Sequence, residues 1–174
     1  VISSEASEAL TKLAEHLQAP VVMTAEGKGA ISDHHPLSLG ALWLRNDTIA
    51  RKEFGHDVIL AVGTRLVTSQ WLDGQQVIQI DVDPEEIGRH YDNTMRVEGD
   101  AKLTLEALLS ALASTAPAEK DRTNEVAAQR VQRSEDIIKV EPQGELLNAV
   151  RKAMPEDGIV ISGMTQLGYY ARAH

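Results

Sequence analysis

The chain has 174 residues, a length sufficient for one domain of ordinary size and part of another, and 43% of its residues are hydrophobic, which is enough to form a core. Its net charge of -9 argues against a nucleic-acid partner, which would need a basic face, and no apolar stretch approaches the roughly 20 residues of a membrane span. Because the chain has no cysteine, a disulfide framework, a thiol nucleophile and a thiolate zinc site are excluded, and the cytoplasm is the expected location.

The first part of the chain alternates helical and strand patterns. Glu5–Leu17 has apolar residues at helical spacing, and Ser3 or Ser4 is available as its N-cap. The apolar run Pro20–Thr24 predicts a buried strand. After it come a glycine turn at Gly27–Gly29, a polar loop, a helix from Asn46 or Asp47 to Phe54, and a strand at Asp57–Val62.

The pattern continues with a strand at Gln76–Val82, and Asp83 then stands as N-cap before a helix that begins at Pro84. Thr94–Val97 predicts an edge strand, and Asp100–Ala113 predicts a helix. The expected buried face of that helix comprises Leu103, Leu105, Ala107, Leu108, Ala111 and Leu112. Alternating strands and helices predict an α/β fold, a doubly wound, mostly parallel Rossmann-like sheet with helices on both faces.

A change of composition at Ser114–Asn124 predicts a domain boundary. We therefore divide the chain into a Rossmann-like domain at residues 1–113, a linker at 114–142, and the incomplete start of a second domain at 143–174. Beyond the boundary, the patterns predict helices at Glu125–Lys139 and Gly144–Met154, a strand at Gly158–Ser162, and a helix at Gln166–His174.

Polar residues follow two of the predicted strands where each strand ends. Gly63, Thr64 and Arg65 follow one strand, and Asp81 and Asp83 end the other. Open α/β sheets bind ligands at the carboxyl ends of their strands, so these five residues are the candidate cofactor-binding site. Arg65 would pair with a phosphate or make a surface or interdomain ion pair, and Asp81 is the better candidate for a ribose hydroxyl because Asp83 has a capping role.

No catalytic residue and no metal ligand is predicted in this chain. The sequence contains neither a G-x-S-x-G nucleophile motif nor a glycine fingerprint for a dinucleotide. Trp43 and Trp71 fall in loops after predicted strands, where packing at an interface is the favoured role.

Several short motifs, taken in order, resemble those of a known family. They are Ala19–Val22, Gly27–Ile31, His35–Leu37 with Gly40, Asp57–Arg65, Ile78–Gly88 and Gly99–Ala101. In this order and spacing, residues 1 to about 113 resemble the central domain of thiamine-diphosphate-dependent enzymes of the acetolactate synthase and benzoylformate decarboxylase group. The segment from Pro142 onward resembles the entry into the pyrophosphate-binding domain of those enzymes.

The resemblance implies a parent enzyme that uses thiamine diphosphate and Mg²⁺ and assembles as a homo-oligomer. It also implies that the activating glutamate lies in an N-terminal domain, and that a Gly-Asp-Gly motif, which this chain lacks, lies in a C-terminal one. These domains are the expected partners, and the isolated chain is expected to be inactive. In relatives with a flavin or adenine nucleotide, the Gly-x-Arg after the strand lines that site.

The sequence departs from the acetolactate synthase pattern at Ala41–Arg45 and Leu66–Gln70. A decarboxylase, or a carboligase acting on another 2-oxo acid, therefore fits as well. Three hypotheses remain open at this point: a structural domain of a thiamine-diphosphate enzyme, a functional FAD- or ADP-binding module within such an enzyme, and an unrelated Rossmann-like NAD-dependent protein.

Overall fold

The computed structural model describes residues 1–41, 58–67, 75–139 and 142–173. Its elements in chain order are α1 (Ser7–Leu17), β1 (Val21–Met23), β2 (Ser38–Ala41), β3 (Val58–Val62), β4 (Gln76–Asp81), β5 (Thr94–Glu98), α2 (Ala101–Leu112), α3 (Thr123–Ile138), α4 (Gln143–Ala153) and α5 (Gln166–Ala173). The predicted helix ending at Phe54, together with Trp43 and Trp71, lies outside the described residues.

All the strand pairs among the described residues are parallel, as the sequence predicts. β3, β4 and β5 form a three-stranded sheet in that order, and β1 pairs with β2 in a second, two-stranded sheet. The predicted strand at Thr94–Val97 is confirmed as β5, and it lies at the edge of its sheet. Mixed helices and parallel strands confirm the α/β class and agree with a doubly wound fold.

The pleat of β3 and β4 sends alternate side chains to two different cores. On one face, Ile80 packs with Leu13 of α1 and Leu105 of α2. On the opposite face, Ala61 and Val77 form a separate cluster. Successive side chains of a strand point to opposite faces, so a sheet covered on both sides needs apolar residues at nearly every position.

Helix α1 forms where its apolar stripe predicts, but its predicted caps are wrong. The N-cap position is Ala6, and no side chain caps the helix there. Ser4 instead donates its hydroxyl to the carbonyl oxygen of Val1 at 3.2 Å, because Glu5 adopts a left-handed conformation with φ of 54° that folds residues 1–5 into a turn.

Helix α2 forms where predicted, Asp100 caps it, and the predicted buried face needs correction. One Asp100 carboxylate oxygen accepts the backbone N–H groups of Lys102 at 2.9 Å and Leu103 at 3.1 Å. Leu105 is 0% exposed, whereas Leu103 is 68% exposed and Ala107 is also exposed. The helix contacts α1 and β4 along one narrow stripe, so Leu103, two residues from Leu105, lies off the contact.

One observed strand was not predicted, and one predicted strand does not form. Ser38–Ala41, for which no strand was predicted, forms β2 because it pairs with β1 and buries Leu39. Gly158–Ser162 forms no strand, and Ile159 and Ile161 are 85% and 94% exposed. No described strand lies beside this segment, and a strand without a hydrogen-bonded neighbour has no sheet to stabilise it.

The segment after α2 packs back on the first half of the chain. Ala118 donates its backbone N–H to the carbonyl oxygen of His16 at 2.9 Å, and Val126 of α3 is fully buried against Leu37 and Leu39. At the start of α3, Arg122 hydrogen-bonds to Glu125 and lowers the pKa of that carboxyl group to about 2. The division into domains at 1–113, 114–142 and 143–174 stays a prediction.

The helices predicted after residue 124 are confirmed as α3, α4 and α5. Among the described residues, no helix has both the length and the apolar content required to cross a bilayer.

We predict that Leu105→Ala lowers the free energy of unfolding by about 2–5 kcal/mol, because it opens a cavity in the core between α1, α2 and β4. Urea denaturation followed by circular dichroism measures the change. Leu103→Ala is the matched control on the same helix, and we expect its effect to stay within about 1 kcal/mol. Equal losses in the two variants would contradict the assignment of the buried face.

Candidate functional site

The structure brings the two predicted strand tips together at one edge of the sheet. In the parallel register, Val62 pairs with Ile80 and Asp81 pairs with Glu98. Gly63 is therefore level with Asp81 on the neighbouring strand, and adjacent strands lie about 4.8 Å apart. The carboxyl ends of β3, β4 and β5 form one continuous edge, which we call the carboxyl edge.

Backbone geometry fixes the residues on both sides of Arg65. Gly63 turns with φ of 59° and donates its N–H to the carbonyl oxygen of Ile80 at 2.9 Å. Leu66 also has a positive φ, 54°, and its side chain is buried in the cluster with Ala61. A leucine in this conformation is uncommon, and here the burial of its side chain compensates for the strain.

The side chain of Arg65 is exposed at the carboxyl edge. Within the described part of the chain, no carboxylate forms an ion pair with it. The surface ion pair that the sequence leaves open for Arg65 is therefore not formed with any described residue. Its guanidinium has five N–H donors and suits a bidentate contact with an anion.

Both aspartates of the β4 tip hold local turns. Asp81 accepts the N–H of Asp83 on Oδ1 at 3.0 Å, and Asp83 accepts the N–H of Glu85 on Oδ1 at 3.0 Å. Asp83 therefore holds a turn and not the helix that it was expected to cap, and Asp81 makes a similar contact that the sequence did not predict. One oxygen of each carboxylate is engaged by the backbone.

The helix predicted from Pro84 is wrong, because residues 84–88 form turns. The guanidinium of Arg96 on β5 donates to the carbonyl oxygens of Pro84 and Ile87, the acceptors that a helix would use internally. Gly88 then turns the chain with φ of 74°, and a Cβ there would lie 3.1 Å from Nη1 of Arg96. Glycine at this position lets the turn and the arginine coexist.

Gln79 of β4 lies beneath both tips, a position that was not predicted from the sequence. Its side chain is 2% exposed, and its Nε2 donates to the carbonyl oxygens of Thr64 at 3.1 Å and Glu86 at 3.2 Å. Its Oε1 accepts the N–H of Gly88 at 2.9 Å. The available signal was a polar amide within a run of Val and Ile, which must find partners when buried.

The turn at residues 1–5 also reaches the carboxyl edge. A Cβ on Gly63 would lie 3.5 Å from the backbone nitrogen of Val1. Val1 also packs on the core beneath α1, so the turn that precedes α1 lies beside the β3 tip. No periodicity in the sequence predicts this approach.

The electrostatics of the carboxyl edge are dominated by acidic residues. Asp81, Asp83 and Glu98 lie at or just after the ends of β4 and β5. The N-terminal N–H groups of α2, which would otherwise attract a phosphate, are already occupied by Asp100. The binding of a phosphate at this edge would therefore depend on Arg65, whereas the carboxylates are suited to accept hydrogen bonds from hydroxyl groups.

The described residues contain no group of three or more His, Cys, Asp or Glu side chains that would hold a metal ion. A shallow groove of about 370 Å³ lies between α1 and residues 29–32, and none of the five candidate site residues lines it. This part of the chain therefore does not fit a metal–diphosphate site, and we derive no catalytic step from it.

Comparison with known proteins assigns the fold to a family. The model of the thiamine pyrophosphate enzyme central domain matches residues 1–108, which include the carboxyl edge. The chain belongs to this family. The resemblance inferred from the short motifs is thereby confirmed.

Three relatives of this chain have different enzyme names. A probable 2-ketoarginine decarboxylase of Pseudomonas aeruginosa is 33% identical over 94% of this chain and 30% of its own length. A probable acetolactate synthase large subunit of Methanocaldococcus jannaschii is 39% identical over 64% of this chain and 20% of its own length. A sulfoacetaldehyde acetyltransferase of Roseovarius nubinhibens is 34% identical over 67% of this chain and 21% of its own length. The chain thus spans less than a third of the length of these relatives.

We predict that Gly88→Ala destabilises the protein by about 1–2 kcal/mol, because alanine disfavours a positive φ and its Cβ would press on Arg96. Gly163→Ala is the control, since that glycine has no positive φ and a Cβ there would make only an ordinary contact at 3.9 Å. We expect Gly163→Ala to change the unfolding free energy by less than about 1 kcal/mol. A drop in stability confined to Gly163→Ala would show that the turn is described wrongly.

Proposed function

We propose that this chain is the central domain of a thiamine-diphosphate-dependent 2-oxo acid decarboxylase or carboligase. The family match over residues 1–108 supports this proposal most strongly. The similarity to the probable 2-ketoarginine decarboxylase extends over 94% of the chain, compared with 64% for the acetolactate synthase relative above. This difference favours a decarboxylase as the parent.

Thiamine diphosphate and Mg²⁺ would be held by the intact parent rather than by these residues. The chain has no Gly-Asp-Gly triplet, and its described residues offer no metal site. The N- and C-terminal domains of the parent and a second subunit are the proposed partners, since the relatives are more than three times as long. The cysteine-free sequence is compatible with the cytoplasm, which is the proposed location.

We predict that the purified chain, supplied with thiamine diphosphate and Mg²⁺, does not turn over pyruvate, benzoylformate or 2-ketoarginine. The reason is that carbanion stabilisation is supplied by the cofactor, which this chain does not bind in our proposal. CO₂ release and product formation are the measurements, with circular dichroism to establish that the chain is folded. Cofactor-dependent turnover above the blank would overturn the proposal that the chain is inactive alone.

A second candidate function is an accessory nucleotide site for FAD or ADP at the carboxyl edge. Gly63 and Asp81 lie level on neighbouring strands, and Arg65 is exposed and has no ion pair among the described residues; both observations favour such a site. In this proposal Arg65 contacts a phosphate, Asp81 accepts a ribose hydroxyl, and Gly63, Thr64 and Asp83 shape the crevice. The family match gives no support to the third hypothesis, an unrelated NAD-dependent protein.

We predict that, if this site is functional, isothermal titration detects FAD or ADP at sub-millimolar concentration and NAD more weakly. Arg65→Ala should then weaken binding at least tenfold, as expected from losing a charged hydrogen-bonding partner. Arg151→Ala removes an exposed arginine from α4 and is the control for net charge. No binding by the unsubstituted chain, or equal weakening in both variants, would leave only the structural role.

A further inference from the structure

Gln79 holds two backbone segments that are separate in the sequence. One is the β3–β4 loop at Gly63–Leu66, and the other is the turn at Asp83–Gly88. Through its single amide group, Gln79 donates to Thr64 in the loop and to Glu86 in the turn, and it accepts from Gly88. The two N–H groups of the amide are thus both used, and so is its oxygen.

No direct hydrogen bond joins the loop to the turn in the part of the chain that the structure describes. The loop is held to β4 by the N–H of Gly63, and the turn is held to β5 by Arg96. Gln79 therefore provides the hydrogen-bonded connection between them. The connection is shielded from water, because the side chain is 2% exposed.

We propose that Gln79 is a positioning residue that fixes the Arg65 loop relative to the Asp83 turn and thereby sets the spacing of the ligand-binding groups at the carboxyl edge. The ligand part of this proposal rests on the accessory nucleotide site. The positional part does not, because it concerns only the backbone contacts of the amide. A phosphate on Arg65 and a ribose hydroxyl on Asp81 both need that spacing to be constant.

The chemistry of the amide allows its donor and acceptor roles to be separated. Gln79→Glu keeps the size of the side chain and still accepts from Gly88. A carboxyl group has at most one O–H donor, and none when it is ionised, so at least one of the contacts with the carbonyl oxygens of Thr64 and Glu86 is lost. Gln79→Leu removes both roles and leaves three backbone groups without their partner.

Backbone order parameters from NMR relaxation test the positional part. We expect values near 0.85 for both segments in the unsubstituted protein, and values approaching 0.6 for both in Gln79→Leu. In Gln79→Glu, at least one of the two segments that hold Thr64 and Glu86 should loosen while Gly88 stays ordered. Val77→Ala, on the same face of β4, is the control because it loses core packing without touching the amide contacts.

Unchanged order in Gln79→Leu, or the same loosening in Val77→Ala, would overturn the proposal. Titration with ADP then tests the consequence for the ligand: we expect at least tenfold weaker binding to Gln79→Glu than to Val77→Ala. Equal affinities with a loosened loop would also overturn the positioning role. If ADP binds neither the unsubstituted chain nor any variant, the accessory nucleotide site fails, while the order parameters still decide whether Gln79 couples the two segments.

Discussion

The alternation of side chains along β4 is the constraint on which the rest of the structure depends. Ile80 faces the core under α1 and α2, and Val77 faces the opposite core with Ala61. Gln79 lies on the same face of β4 as Val77. The alternation that directs the apolar side chains to the two cores therefore also places the Gln79 amide beneath both strand tips. A shift of one residue in register would exchange the two faces and separate the tips from their buried anchor.

The elements that could be predicted from the sequence have strong local causes. The apolar runs of β3 and β4 are recognisable because a buried parallel strand needs apolar residues on both faces. Asp100 is recognisable because a carboxylate satisfies the free N–H groups at the start of a helix. The level positions of Gly63 and Asp81 follow from parallel pairing, so the location of the candidate site was also predictable.

The features that could not be predicted depend on residues distant in sequence. Pro84 has every local signal of a helix start, yet Arg96 takes the carbonyl groups that the helix would need. Ile159 has the composition of a strand but no described neighbour to pair with. Gln79 appears in the sequence as an interruption of an apolar run, and only the approach of Thr64 and Gly88 gives it a role.

The boundary of the family match differs from the boundary of the packed unit. The match ends at residue 108, but Val126 of α3 fills the core between α1 and β2. Arg133 of the same helix donates to the carbonyl oxygens of Leu39 and Ala41. A polypeptide cut at residue 108 would uncover Leu37 and Leu39 and leave those carbonyl groups to water. We therefore expect the smallest segment that unfolds cooperatively to include α3. The family match alone, which covers residues 1–108, does not show that α3 is part of this unit.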